Sequence, residues 1–187
     1  MPTRMRFNEK KATQAAARFL RHSNGRMNYM KLIKLLYIAD RDALMRWGRP
    51  ITTDSYFSLK HGPVLSQVLD LITEEPNPFA SRTFWSEHIS DPEHYSVSLN
   101  ADPSDDQLSE AEEEAIDEAF AKFGHLSQWQ LVDLVHQFPE WQDPEGSRIR
   151  IEYEDILKAG NKTPEEIQAI EGELDALSRM EALLAGR

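Results

Sequence analysis

Asp40 and His61 are the residues of this chain whose types and spacing best suit chemistry. Stepping by three or four residues from Tyr29 gives Ile33, Leu36, Asp40, Leu44 and Trp47, which sets one carboxylate in the middle of an apolar helix face. His61 opens a His-Gly-Pro-Val turn a short distance on. A carboxylate meeting an imidazole is the minimum equipment of a hydrolase with a general base. It is equally a structural device: a buried carboxylate without partners is costly, so Asp40 is expected to collect donors from His61, the Tyr56 hydroxyl and the backbone of the Gly62-Pro63 turn. The structural reading, a hydrogen-bonded pair that pins a loop to a helix, is preferred to the catalytic one.

Little else in the sequence supports catalysis. Six His stand at 22, 61, 88, 94, 125 and 136 with no His-x-x-x-His pair, so a helical zinc site is unsupported and neither metal nor other cofactor is expected. Asp133 and His136 sit one helical turn apart, a spacing common by chance. Phosphate-loop and nucleophile-elbow glycine patterns are absent, and eight Gly leave little material for a phosphate cradle. Zero Cys removes disulfides, thiol catalysis and Cys-based zinc sites together.

The element that must position Asp40 is a helix starting at Asn28, whose side chain can cap it, and stopping at Gly48 with Pro50 beyond. From Tyr29 to Ala39 only Lys31 and Lys34 are polar, a face wider than a surface stripe, so this helix is expected to be central, with Lys31, Lys34 and Arg41 on its other side. Asp42 and Arg46 form an i,i+4 pair on a solvated face. A first helix, Asn8 to His22, carries a small Ala12, Ala15, Ala16 face suited to close approach. Arg49 to Lys60 reads as a loop or minor strand, and Gly62-Pro63 as the start of a helix through Ile72. Glu74 to Ser81, with Pro76 and Pro78, is expected to be irregular.

Thr83 to Ile89 and His94 to Leu99 read as a β-hairpin, and 101–106 as an acidic linker. Ser109 with Glu112 is a capping box opening a helix that ends at Gly124, and Ser127 caps a short helix, Gln128 to Phe138, with Trp129 on its inner side. Tyr153 to Lys158 makes one or two helical turns, and Thr163-Pro164 opens a last helix carrying a narrow apolar stripe. The expected fold is mainly α with a minor β-hairpin, a compact helical domain around a central buried helix. The division is 1–160 for the domain and 161–187 for a C-terminal helix, docked or partner-binding.

At 187 residues and 40% hydrophobic the chain suits one domain with a real core, and no apolar run approaches the roughly 20 residues needed to span a bilayer. The basic start, Arg4, Arg6, Lys10 and Lys11, lacks the apolar segment and cleavage site of a secretory signal, so a soluble, cytoplasmic protein is expected. The net charge of -11 is unevenly spread. Residues 1–50 hold twelve Lys or Arg against three Asp or Glu, or +9, which leaves -20 for the remainder. Either two partners of opposite sign are served, or basic first helices dock on acidic later ones, which is the preferred reading. A helix-turn-helix outline at Asn24-Gly25 makes a DNA-binding regulator one alternative, although the second helix is too apolar to lie in a groove.

Lys31-Leu32 through Lys34-Leu35-Leu36-Tyr37 with Ala39-Asp40, then Gly48-Arg49-Pro50-Ile51, Tyr56 and His61-Gly62-Pro63-Val64, together resemble the Panacea domain family of SocA-like antitoxins. The resemblance is strong over Met27 to Leu71 and weaker through Trp129 to Trp141. It implies a non-enzymatic antitoxin in a toxin-antitoxin system, which binds and neutralises a cognate protein toxin, and in some relatives acts as a proteolytic adaptor to an ATP-dependent protease. On this reading Tyr37, Asp40, Tyr56, His61, Trp129 and Trp141 are the central-site or partner-binding candidates, with Trp47 a further anchor. The alternatives are the DNA-binding transcriptional regulator and a hydrolase using Asp40 and His61.

Overall fold

The computed structural model describes residues 5–75 and 79–186. Arg4 of the basic start, Pro76 and Pro78 of the irregular stretch, and Arg187 at the end of the C-terminal segment lie outside them.

Every helix start can be traced to a side chain or a proline. Asn8 caps α1 (Glu9–His22) and Asn28 caps α2 (Tyr29–Trp47), each accepting from the backbone three residues on. Gly48, left-handed at φ 73, closes α2 as expected, and only a residue tolerant of that conformation fits there. Capping boxes open α5 (Glu110–Phe123, Ser109 with Glu112), α6 (Gln128–Val135, Ser127 with Gln130) and α8 (Pro164–Ala185, Thr163 with Glu166). α7 runs over Tyr153–Ala159.

α2 is the central element. Leu32, Leu35, Leu36, Tyr37, Ala39, Ala43 and Leu44 are buried almost completely, and α1, α5, α6 and α7 all pack on it. Ala12, Ala15 and Ala16 of α1 are equally buried, the small face that lets helices approach closely. The basic first half docks on the acidic second half. Arg18 donates to Asp117 in a two-pronged bond at 2.8 Å each and meets Glu113 at 3.0 Å. Lys11 reaches Glu112 at 2.6 Å, Arg21 reaches Asp102 and Asp105 at 2.7 and 3.0 Å, and Arg46 bridges Asp42 and Glu118 at 2.9 and 2.6 Å. The 101–106 segment is therefore tied along α1, where Gln14 also donates to the Pro103 carbonyl.

Among the described residues the strands are short and antiparallel. β1 (Arg26–Asn28) pairs with β4 (Ser96–Ser98), and a three-stranded sheet is ordered β3 (Gly62–Leu65), β2 (Tyr56–Leu59), β5 (Ile149–Ile151). Two expectations are corrected. Gly62-Pro63 does not start a helix but opens β3, registered Ser58 to Pro63; β3 is an edge strand, where a missing N–H is tolerated, and α3 (Ser66–Thr73) begins only after it. The expected hairpin of residues 83–99 is reduced to two isolated antiparallel bridges, Ile89 to Leu99 and Glu93 to Ser96. Thr83 and Ser86 form a capping box that makes Phe84–His88 a short helix, α4, and the second segment takes β1 as its strand partner. The regular hairpin among the described residues is β2–β3.

Candidate functional site

Asp40 is buried on α2 and collects four donors from the segment that follows the helix. The backbone N–H groups of Ile51 and Thr52 reach Oδ1 at 3.0 and 2.9 Å, and the Thr52 and Tyr56 hydroxyls reach Oδ2 at 2.5 and 2.9 Å. Neither His61 nor the Gly62-Pro63 backbone is among them, which corrects the expected pairing. Burial pushes the Asp40 carboxyl up to about 6, against the donors, which pull it down.

Two residues later the chain repeats the device. Thr53 sits at φ 56, a left-handed conformation uncommon for a β-branched residue, and so reverses the chain between Thr52 and Asp54. Asp54 then accepts from Ser55, Gln67 and Val68 N–H at 2.6, 3.0 and 2.9 Å. Gln67 and Val68 are in the first turn of α3, whose own cap residue, Leu65, has no side chain for the purpose. Asp54 therefore caps that helix from a distance. Burial raises its carboxyl to about 6 as well.

On the next face of α2, Tyr37 donates to Glu140 at 3.0 Å, and Arg41 donates to the same carboxylate at 2.6 and 3.2 Å while lying 4.1 Å from the Phe138 ring. The rings of Tyr37 and Tyr56 meet edge to face at 5.4 Å, joining this network to that of Asp40. Lys34, expected with Lys31 and Arg41 on an exposed side, is instead 1% exposed and donates to the Pro63 carbonyl at 2.8 Å. Lys31 donates to the Gly124 carbonyl at 2.6 Å. The hairpin turn fits over Lys34 because residue 62 is glycine: φ is +97, and a Cβ there would stand 2.6 Å from Val135 Cγ2 and 3.4 Å from Lys34 Nζ.

The tip of the hairpin is the exposed end of this construction. His61 projects beside Trp129 of α6, ring centroids 5.6 Å apart and edge to face, and Trp129 is 54% exposed, not on the inner side of its helix as expected. Beneath them Trp141 donates to the Leu59 carbonyl at 3.1 Å and lies tilted against the His136 ring, centroids 4.1 Å apart; the His136 ring lies 3.2 Å from the Lys60 carbonyl oxygen. The six candidate residues thus divide: Tyr37, Asp40 and Tyr56 are buried, Trp141 is half-buried under the tip, and His61 and Trp129 face outward. Trp47 is 43% exposed, and the tryptophan of the core is Trp85. Thr52, Asp54 and Glu140 carry as much of the hydrogen bonding as the six. A short polar side chain followed by an acid just before a strand was the available signal for the first two; Glu140 had none, because its partners are about a hundred residues away in sequence.

The arrangement holds a hairpin on a helix. Asp40 and His61 do not form the dyad of a hydrolase, since Asp40 is buried and fully engaged while His61 projects outward. Among the described residues no group of three or more His, Asp or Glu is placed to hold a metal, and no helix is long and apolar enough to cross a membrane.

Burial of three titratable groups gives stability a distinctive pH dependence. Lys34 is lowered from 10.5 to about 7, so between those values the unfolded chain binds more protons and stability rises with pH. Asp40 and Asp54 are raised from 3.8 to about 6, so between those values the folded protein binds more protons and their contribution falls as pH climbs. Denaturation midpoints measured at about pH 7 and about pH 9 should show a gain, and Lys34→Met should abolish it. A gain of equal size in the variant would contradict the assignment to Lys34.

The family model described as Antitoxin SocA-like, Panacea domain, matches residues 32–142, more than half of the chain and the span from α2 to Trp141 that contains this construction. No curated protein and no solved structure matches the chain.

Proposed function

Because the chain belongs to the SocA-like antitoxin family built on the Panacea domain, we propose that it binds a cognate protein toxin encoded beside it and neutralises that toxin by covering its working surface. The observation that carries the choice of surface is the division of the candidate residues. Tyr37, Asp40 and Tyr56 are inaccessible and serve the scaffold, whereas His61 and Trp129 form an exposed aromatic pair on an ordered support. A large, rigid, half-exposed tryptophan on an ordered strand-turn and helix is the usual anatomy of a binding hot spot. The toxin's contact segment seats on this pair, and Trp141, through the Leu59 carbonyl, keeps the tip in place.

Activity in the cytoplasm, without a cofactor, is the setting we propose. A finer reading adds delivery of the bound toxin to an ATP-dependent protease, for which α8 or the N-terminal residues would be the handle. The regulator alternative draws no support from charge, since cations of the first two helices, Lys11, Arg18, Arg21, Arg41 and Arg46, are engaged with carboxylates of this chain.

The test is co-purification of the tagged chain with the product of the adjacent gene, together with growth of cells expressing that gene. A stoichiometric complex and rescued growth are expected. Trp129→Ala should weaken the complex by about thirtyfold, corresponding to ~2 kcal/mol, without lowering the melting temperature of the free chain. Undiminished binding by that variant would remove the aromatic pair from the interface, and no complex with no toxicity would overturn the antitoxin reading itself.

A further inference from the structure

α8 does not lie flat on the domain. Its first half is docked through Ile167 and Leu174, and Ile170 packs against the Gly48 turn, but Met180, Leu183 and Leu184 near its end stand exposed. Between its middle and the edge formed by β5 and the start of α7 runs a cleft of about 620 Å³, within the roughly 300–1,000 Å³ of ordinary ligand sites. Ile151, Tyr153 and Leu174 supply its apolar wall.

Two properties of the cleft point to one kind of occupant. Its lining carries five carboxylates, Asp54, Glu152, Glu154, Glu171 and Asp175, against two guanidiniums. Arg150 pairs with Glu152 at 2.6 Å, Arg179 with Asp175, and Lys158, outside the lining, with Glu154 at 2.6 Å, while Asp54 is spent on the start of α3; Glu171 is left to give the wall its negative charge. The second property is Gly172. It stands in the interior of a 22-residue helix, where glycine is the least favoured residue after proline, yet it lines the cleft, and a Cβ there would meet nothing within 4 Å. No close approach or turn explains it; what its missing side chain does is leave the cleft open.

We infer that this cleft is a second binding site, for a basic segment of the partner protein that presents an arginine or lysine flanked by apolar residues. The inference rests on the antitoxin reading and deepens it. The ammonium or guanidinium head would lie among the carboxylates near Glu171, and its apolar neighbours along Tyr153 and Leu174. The cleft touches β2 at Tyr56, and the aromatic pair stands beyond Leu59, at the other end of that strand. On this proposal one toxin engages both, with Glu171 steering its basic segment inward.

The experiment titrates the purified product of the adjacent gene into the full chain by calorimetry at low and high salt. Gly172→Leu, which fills the cleft, and Glu171→Lys, which reverses its charge, should each weaken binding about tenfold or more, and the loss in Glu171→Lys should shrink at high salt. Gly172→Ala should melt higher than the unchanged chain and bind as it does, which separates filling of the cleft from damage to the helix. If the unchanged chain binds and both cleft variants bind equally well, the cleft proposal is overturned while the antitoxin reading stands. If the unchanged chain does not bind at all, both fall. Self-association of the unchanged chain in light scattering, lost in Gly172→Leu, would assign the cleft to a second copy and also overturn the proposal.

Discussion

Asp40→Ala should destabilise the protein by about 3–5 kcal/mol, a third or more of the total stability of a typical domain. The substitution strands four donors in a buried site: the Ile51 and Thr52 N–H groups and the Thr52 and Tyr56 hydroxyls. The hydroxyls can turn toward other acceptors, but the two backbone N–H groups are fixed by the path of the chain. Loss of their acceptor also frees the reversal at Thr53 and, with it, the placement of Asp54 at the start of α3. Asp40→Asn should cost less, roughly 2 kcal/mol, because its carbonyl still serves one pair of donors while its amide group faces the other. Urea denaturation of the three proteins is the check. Unchanged stability in both variants would remove Asp40 from the scaffold and return it to the list of residues available for chemistry.

Gly62→Ala is expected to cost about 2–4 kcal/mol, divided between contact and backbone conformation. At φ +97 an L side chain is strained by about 1–2 kcal/mol, and a methyl placed 2.6 Å from Val135 Cγ2 forces the hairpin or α6 to move. Movement on either side disturbs the buried Lys34, whose bond to the Pro63 carbonyl depends on the turn's close approach. Val135→Ala destabilises by itself through the cavity it leaves, yet in the Gly62→Ala background it removes the clash. The double-mutant cycle should therefore show favourable coupling of about 1 kcal/mol or more. Additive effects would mean that the steric term is absent and that only the backbone strain is felt.

These two residues show why part of the molecule was legible in the sequence and part was not. α2, its Asn28 cap and its Gly48 stop follow from local rules, and all three stand where those rules put them. The capping boxes at Ser109 and the proline start at Pro164 are equally local. That Asp40 must find donors followed from the cost of burying a carboxylate; which donors it finds depends on the turn at Thr53, a conformation for which a β-branched residue gives no warning. Gly62-Pro63 has the composition of a helix start, and was misread because pairing with β2 and contact with Val135, both nonlocal, settle its conformation. Phe84 and Trp85 suggested a strand by their aromatic content, but the Thr83 and Ser86 cap outweighs that preference. Lys34 belongs by sequence to the polar side of α2, and the burial of its amine is set by the hairpin folded over it, which is nonlocal. Trp129 departs in the opposite direction, an aromatic residue on the outer face of its helix, and that exposure is the ground for the proposed binding role.

A division of labour follows. Tyr37, Asp40, Tyr56 and Gly62 build a seat for the β2–β3 hairpin, and in the proposed function recognition falls to His61 and Trp129, which the seat presents. Rigid presentation keeps the entropy cost of binding low, since neither the tip nor α6 has to be ordered by the toxin.

The most direct measurement of this claim is amide hydrogen exchange of the full chain, alone and in complex with the product of the adjacent gene. The account predicts that binding slows exchange at the hairpin tip, 59–62, and in the first turn of α6, 127–130, while the amides of Ile51 and Thr52 that bind Asp40 are slow in both states. A complex that leaves the tip and α6 exchanging as in the free chain would place the toxin elsewhere and contradict the assignment of His61 and Trp129 as its contact.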